Sequence, residues 1–297
     1  MIQVFATADA LADAVARHTV TCAADAVATT GRFTIALSGG STPKAAYSRL
    51  ASGDSRPMRA CPEHREGAGL WRLTHVIWGD ERCVPPDDPR SNYRMAREAL
   101  LDRVPIPPDH IHRIRGEDDP QRAAMDYERE LRMLLTDSLD LVLLGLGEDG
   151  HTASLFPGQS AVHEAERWVM AVPPPSGDIW RVTLTPAVLN LAKNVTFVVS
   201  GASKAQRLAE VLEGPFNPDL LPAQAIRPTQ GRLTWMVDEA AAGKSGAIRV
   251  HPSARADYSS ARLPGSASGG RSRHSSRRRA YRPPRCPMGG PRTSRSP

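Results

Sequence analysis

No stretch of this 297-residue chain stays apolar for long enough to cross a bilayer. The N-terminus, MIQVFATADALADAV, lacks a basic segment ahead of an apolar core, so it does not read as a secretory leader. The four cysteines, Cys22, Cys61, Cys83 and Cys286, form no C-x-x-C pair. That spacing argues against a disulfide framework or a zinc site and fits a reducing compartment. There is no G-x-S-x-G nucleophile elbow, no second His or Cys at metal-ligand spacing from His151, and no internal repeat. What these absences leave is a soluble protein, expected in the cytoplasm, with no metal and no membrane partner.

The charge balance misleads when averaged over the chain. The sequence holds 38 Lys or Arg against 32 Asp or Glu, yet residues 243 to 297 take 13 of those bases and one acid, Asp257. Residues 1 to 242 are therefore net acidic, and the basic character belongs to the tail. Nucleic-acid binding does not follow from the overall charge, and any such binding would be confined to the tail. From Gly243 onward the chain is rich in Arg, Ser, Pro and Gly and poor in large apolar side chains. Such a segment cannot bury enough surface to offset its ordering entropy, so disorder is expected. The reading is one folded domain over 1–242 and a disordered tail over 243–297; nothing in it sets the oligomeric state, and a monomer is compatible.

Strands and helices alternate along the body. Ala8 to Thr29 reads as an alanine-rich amphipathic helix and Phe33 to Leu37 as a strand. Ser38-Gly39-Gly40-Ser41-Thr42-Pro43 then turns into a helix reaching about Leu50. Residues 52 to 70 mix Gly, Pro and charge without periodicity and are expected to form a loop. His75 to Trp78 reads as a strand ending in Gly79-Asp80-Glu81-Arg82. Helices are expected from Ser91 to Leu101 and from Pro120 to Leu135. Further strands are expected at 139–144, 168–172, 181–184, 195–199 and 233–237. The strand at 195–199 leads into Gly201-Ala202-Ser203-Lys204 and a helix to Leu212, and 238–242 reads as a short helical end. The alternation predicts an α/β fold, a mostly parallel sheet with helices on both faces in a Rossmann-like arrangement.

The most informative stretch is LDLVLLGLGEDGHTASLFPG, residues 139 to 158. A strand of buried type runs into a turn freed by Gly145, Gly147 and Gly150, and His151 follows where such a sheet places its ligands. Gly145-x-Gly147-x-x-Gly150 also matches the dinucleotide-binding fingerprint. That fingerprint needs a helix, a second strand and an acid at the strand's end. Here Phe156-Pro157-Gly158 cuts the helix short, and the next strand ends in Pro173-Pro174-Pro175, so a nicotinamide cofactor is not implied. Two other strand ends carry anion-binding chemistry. At Gly40-Ser41-Thr42 the amide groups and hydroxyls of a helix start would cradle a phosphate. Arg82 suits bidentate phosphate binding, and Asp80 could accept from a sugar hydroxyl or orient a histidine. Lys204 sits in the first turn of its helix, where a cation opposes the dipole and calls for an anionic partner. With no nucleophile in view, a water activated by His151 as general base is the simplest chemistry.

The blocks SGGSTP (38–43), WGDERCVPPDDPRSNYRMAREALL (78–101), GLGEDGHTASLFPG (145–158) and VSGASKAQRL (199–208) closely resemble 6-phosphogluconolactonases over about residues 1 to 242. The wider superfamily includes glucosamine-6-phosphate deaminases and isomerases. Deaminases follow the G-x-x-x-x-G-H turn with an Asn-Glu-Pro type of sequence, whereas His151 here precedes Thr-Ala-Ser-Leu-Phe-Pro, the lactonase form. The segment from 53 to 70 and the tail after Ala242 depart from the family pattern without touching a motif. The resemblance implies hydrolysis of 6-phospho-D-glucono-1,5-lactone to 6-phosphogluconate with no cofactor. It places the phosphate on Gly40, Ser41, Thr42, Arg82 and Lys204 and makes His151 the base. Asp80, in preference to Asp149, would orient the imidazole, and Asn92 would hold a loop or a sugar hydroxyl. The alternatives are a deaminase- or isomerase-like enzyme and a non-catalytic sugar-phosphate-binding domain.

Overall fold

The computed structural model of this chain describes residues 1–52, 69–135, 138–173 and 179–243, and their arrangement follows from two strands without a polar face. β5 (Leu141–Leu144) and β2 (Phe33–Leu37) are buried along their whole length. Strands of this kind must be covered on both sides, which a parallel sheet flanked by helices does. They lie side by side in a six-stranded sheet of order β1 (Ile2–Phe5), β9 (Arg232–Asp238), β8 (Asn194–Val199), β5, β2, β3 (Thr74–Trp78). Every pairing in that sheet is parallel. The chain moves outward from β2 to β3 and returns on the other side of β2 as β5. The order therefore reverses between β2 and β5, the position at which open parallel sheets bind ligands.

Local signals set the helices. α1 (Ala8–Thr30) starts where Thr7 accepts a hydrogen bond from the Ala10 N–H and stops at Gly31, whose φ of 76° closes the helix. It buries Leu11, Val15, Val20 and Ala23 and packs on β1, β2 and β9. α2 (Ser41–Ala51) follows β2 and α3 (Gly69–Arg72) precedes β3. α4 (Asn92–Ala99) is capped by Ser91, and α5 (Pro120–Leu134) by Asp119 with Pro120 in its first turn. Short helices α6 (Pro186–Leu189) and α8 (Glu239–Ala242) flank the longer α7 (Ala205–Glu213). Among the described residues no helix is long and apolar enough to cross a membrane.

At the amino ends of the central strands one carboxylate acts as a clamp. Asp140 accepts from the Thr34 N–H at 2.8 Å and the Thr34 hydroxyl at 2.9 Å, and meets the Lys193 ammonium at 2.8 Å. The polar residue in an otherwise apolar run thus ties β5 to the starts of β2 and β8, at the end of the sheet remote from the carboxyl ends of its strands.

Three features differ from the sequence expectations. β1 was not anticipated, being four residues at the chain start. α3 is helical inside the expected loop, whose residues 53–68 lie outside the described ones, as do all residues of the tail after Gly243. A second, three-stranded antiparallel sheet is present, of order β4 (Asp80–Arg82), β7 (Arg181–Leu184), β6 (Val169–Val172). β3 and β4 are separated by Gly79 alone, which donates to Leu37 O and accepts from the Leu184 N–H, each at 2.8 Å. The chain passes from one sheet to the other at that residue.

On the edge strand β3, His75 stacks on His110 with ring centroids 3.9 Å apart and lies 3.1 Å from His112, which in turn meets Glu130 at 2.6 Å. Burial, then the charges of His110, His112 and Arg32, hold His75 down at about 4 against the opposing pull of Asp109. The folded protein therefore keeps this ring neutral while the unfolded chain protonates it below about 6.5. Its contribution is complete above that value and is lost progressively as the pH falls from about 6.5 to about 4. His75→Gln should flatten the pH dependence of the urea midpoint in that window and leave it unaltered above pH 7; curves that stay parallel throughout would remove His75 from the acid response.

Candidate active site

The four segments singled out by sequence stand at the carboxyl ends of four neighbouring strands. In spatial order they are Ser200–Lys204 after β8, Gly145–Gly158 after β5, Ser38–Pro43 after β2 and Gly79–Arg82 after β3. Parallel pairing alone brings them to one edge of the sheet.

The β3 end is organised by Glu81. Its buried carboxylate accepts from the backbone N–H groups of Arg82, Asn92 and Tyr93 at 2.7–2.8 Å and from the Ser91 hydroxyl at 3.0 Å. Burial pushes this carboxyl up, and the four donors oppose that shift. Asn92, buried at the start of α4, then donates to the Asp80 carbonyl at 2.9 Å and to its carboxylate at 3.2 Å. Its amide oxygen accepts from Arg82 Nη1 at 2.6 Å. A Cβ on Gly39 would lie 2.0 Å from that same oxygen, so the glycine is what lets Asn92 and Arg82 approach the β2 turn. Gly40, at φ 109°, begins α2 with no side-chain cap, and Ser41 is exposed. The first amide groups of α2 therefore remain available to an anion beside Arg82.

At the β5 end the glycine turn folds back on itself. Gly147 N–H donates to His151 O at 2.8 Å and Gly150 N–H to Gly147 O at 3.2 Å. These two amides are consumed within the turn and do not serve as oxyanion donors. Asp149 accepts from the His151 N–H at 3.1 Å and meets its Nδ1 at 2.5 Å. Burial raises the Asp149 carboxyl, but its bonds to the His151 ring and backbone outweigh that and hold it at about 2. An ionised carboxylate only accepts, so Nδ1 carries the proton of this contact and Nε2 is the nitrogen left for a second partner. The ring is one-third exposed and rests near Phe156. A Cβ on Gly147 would sit 2.0 Å from Nδ1 and 2.6 Å from the Asp149 oxygen; on Gly150 (φ 89°) it would meet Leu221 at 2.8 Å. Gly145 has no such neighbour and serves the turn alone.

One expectation is corrected here. Asp80 does not orient the imidazole; Asp149 does. Both Asp80 oxygens are engaged elsewhere, one by Asn92 and the other by the Ser154 hydroxyl at 2.7 Å. Ser154 N–H also donates to the Thr183 hydroxyl at 3.1 Å. Asp80 therefore holds the loop that carries His151 and does not touch its ring. The contact with Asp149 is possible between residues two apart because the glycines allow the turn to close.

Lys204 lies after β8, where Gly201 (φ 97°) and Ser200 are tied to Asp238. Its ammonium is 3.7 Å from Glu148 of the glycine turn, a loose pair with an exposed acid. Arg207, three residues on, donates to the Glu148 carbonyl at 3.0 Å and packs against Gly150. Sequence reading missed Arg207; its signal was the i+3 spacing from Lys204. The strand order β8, β5, β2 brings Lys204 and the Ser41–Thr42 corner to the same edge of the sheet. No group of three or more His, Cys, Asp or Glu side chains among the described residues is placed to hold a metal.

Fold and site together define an α/β enzyme for a small anionic substrate. Residues 6–235 match the family of glucosamine-6-phosphate isomerases and 6-phosphogluconolactonases. A 6-phosphogluconolactonase of Synechocystis sp. is 43% identical over 223 residues, covering 73% of this chain and 86% of that protein. One of Haemophilus influenzae is 39% identical over 208 residues, covering 70% of this chain and 85% of that protein. The solved 6-phosphogluconolactonase of Trypanosoma brucei has a TM-score of 0.70 at 32% identity over 82% of this chain and 97% of its own. A monomeric glucosamine-6-phosphate deaminase, with TM-score 0.67 and 22% identity over 82% of this chain and 99% of its own, shares the fold. The chain belongs to the 6-phosphogluconolactonase family, hydrolases acting on a sugar-phosphate lactone.

Gly147 has no left-handed backbone to protect, since its φ is not among the positive ones. Gly147→Ala should therefore keep the fold and break only the Asp149–His151 contact. The ¹⁵N signals of the His151 ring should move from a single Nδ1–H tautomer toward the mixture of a free imidazole; an unchanged spectrum would contradict the steric argument.

Proposed function

We propose that this chain hydrolyses 6-phospho-D-glucono-1,5-lactone to 6-phospho-D-gluconate, the second step of the oxidative pentose phosphate pathway, with His151 as general base. The observation that carries the reading is the His151–Asp149 pair, which engages Nδ1 and leaves Nε2 of a one-third exposed ring for a water, at the sheet edge that carries Arg82 and Lys204. Nε2 takes a proton from water as the water oxygen bonds to the lactone carbonyl carbon. The tetrahedral oxyanion collapses, the bond from that carbon to the ring oxygen breaks, and the imidazolium returns its proton to the departing oxygen. The product acid then ionises. Asp149 holds the ring in one tautomer and stabilises its transient positive charge. The 6-phosphate rests on Gly40, Ser41 and Thr42 with Arg82 and Lys204.

A lactone is an activated ester, so one base and an anion cradle suffice, with no cofactor. The deaminase reading is weaker because Thr-Ala-Ser-Leu-Phe-Pro after His151 supplies no carboxylate. We place the catalytic domain at 1–242 and the reaction in the cytoplasm. In support of that compartment, the four cysteines, Cys22, Cys61, Cys83 and Cys286, are scattered with no C-x-x-C pair.

Fresh lactone, with product coupled to 6-phosphogluconate dehydrogenase, should be turned over well above the spontaneous rate. His151→Ala should lower kcat by about 100-fold or more with a much smaller change in KM. Inactive, well-folded wild type would overturn the reaction, and a change in KM alone would reduce His151 to a binding residue. Removing residues 243–297 should leave kcat and Tm unchanged, and a clear fall in either would move the domain boundary.

A further inference from the structure

The proposed phosphate cradle contains one arginine, Arg82, but the small antiparallel sheet brings a second to its side. Arg82 on β4 pairs directly with Arg181 on β7, as Asp80 pairs with Thr183. Cys83 N–H donates to Trp180 O at 2.8 Å and Leu184 N–H to Gly79 O at 2.8 Å. Those flanking bonds make both couples non-hydrogen-bonded pairs, in which Cα atoms are about 4.5 Å apart and side chains share a face at closest approach. Asp80, Arg82, Arg181 and Thr183 therefore project from one face. That face meets the His151 loop, since Ser154 bonds both Asp80 and Thr183.

Like charges directly opposite each other destabilise a sheet, and Asp80, the acid on the same face, is bonded to Asn92 and Ser154 and to neither arginine. Among the described residues neither arginine forms an ion pair. Arg82 Nη1 donates to the Arg90 carbonyl at 2.8 Å and the Asn92 amide oxygen at 2.6 Å. Arg181 Nη1 donates to the Ile179 carbonyl at 2.6 Å and the Trp180 carbonyl at 3.4 Å, and its Nε and Nη2 have no partner among the described residues. Every one of these acceptors is neutral. Burial and then the Arg82 charge pull Arg181 down from its ordinary value, although Asp80 opposes them. Two half-buried guanidiniums, held side by side with no ion-pair partner among the described residues and each with donors to spare, match an anion of two charges and three oxygens.

We infer that Arg181 is a second guanidinium of the phosphate site, closing with Arg82 on the phosphoryl group and making the enzyme select phosphorylated over unphosphorylated lactone. The inference rests on the reaction proposed above and adds to it the residue that sets substrate class. Arg181 acts here in binding, and its removal leaves the base and the reacting carbonyl untouched.

The test uses the full chain as wild type, Arg181→Ala and Arg181→Lys, with 6-phosphogluconolactone, unphosphorylated glucono-1,5-lactone and inorganic phosphate. For Arg181→Ala, KM for the phosphorylated lactone and the inhibition constant of phosphate should each rise about tenfold or more, with kcat within about threefold. kcat/KM for the unphosphorylated lactone should not change, so the preference for the phosphorylated one falls by the same factor. Arg181→Lys, which keeps the charge but loses the fork, should lie between. A merely structural arginine would lower Tm and weaken both substrates together, and that result, or an unchanged phosphate constant, overturns the inference. Calorimetric titration with phosphate separates this failure from that of the reaction. If wild type does not turn over lactone yet binds phosphate in an Arg181-dependent way, the reaction falls and the anion site stands.

Discussion

The candidate site depends on one buried carboxyl group. Glu81 gathers three backbone N–H groups and a hydroxyl at the point where β4 ends and α4 begins. A negative charge there is favoured by the helix dipole as well as by the hydrogen bonds. Without it, buried donors at the head of α4 would be left unsatisfied, which costs about 1–3 kcal/mol for each such group. With it, Asn92 is positioned, and Asn92 in turn holds Asp80, Arg82 and the approach to Gly39. Asp80 then secures Ser154 and with it the loop that bears His151. A single internal carboxyl group thus links the small antiparallel sheet, the start of α4 and, through Asn92 and Asp80, the loop that bears His151.

The acids near the site divide by burial and partner. Asp149 spends its charge on the His151 ring and Glu81 spends its own on backbone donors, so neither is left to neutralise the cations. Glu148, the acid that does approach Lys204, is exposed and 3.7 Å away. A pair that loose in water is worth little, and a phosphate can replace it at small cost. The body of the protein is net acidic over residues 1 to 242, yet this edge of the sheet is cationic. The cationic character of this edge is therefore a property of local placement and not of total charge.

Much of this was legible in the sequence because parallel sheets write their core as apolar runs and their ligand edge as glycine-rich strand ends. Leu141–Leu144, the turn at Gly145–Gly150 and the start of α2 were all readable in that way. The small antiparallel sheet was not. β4 has three residues, two acids and an arginine, and no periodicity distinguishes it from a charged loop. Its partner choice is a long-range matter, settled by the register of Arg82 against Arg181. The misassignment of Asp80 has the same root. Its neighbours Ser154 and Thr183 lie far along the chain, whereas the true partner of His151 sits two residues away in a turn whose closure depends on a missing Cβ at Gly147.

The histidine is held by a strained hinge. Ala153 has φ 46°, a left-handed conformation that a residue with a side chain adopts at a cost of about 1–2 kcal/mol. The conformation persists because both sides of it are anchored. Thr152 donates to the Gly145 carbonyl at 2.9 Å and pairs across to Leu155, while Ser154 is bound to Asp80 and Thr183. Asp80 thus acts on His151 through the loop and not through the ring. Through Ser154 it ties the loop that bears His151 to the strand that bears Arg82, two segments that lie about seventy residues apart in the chain.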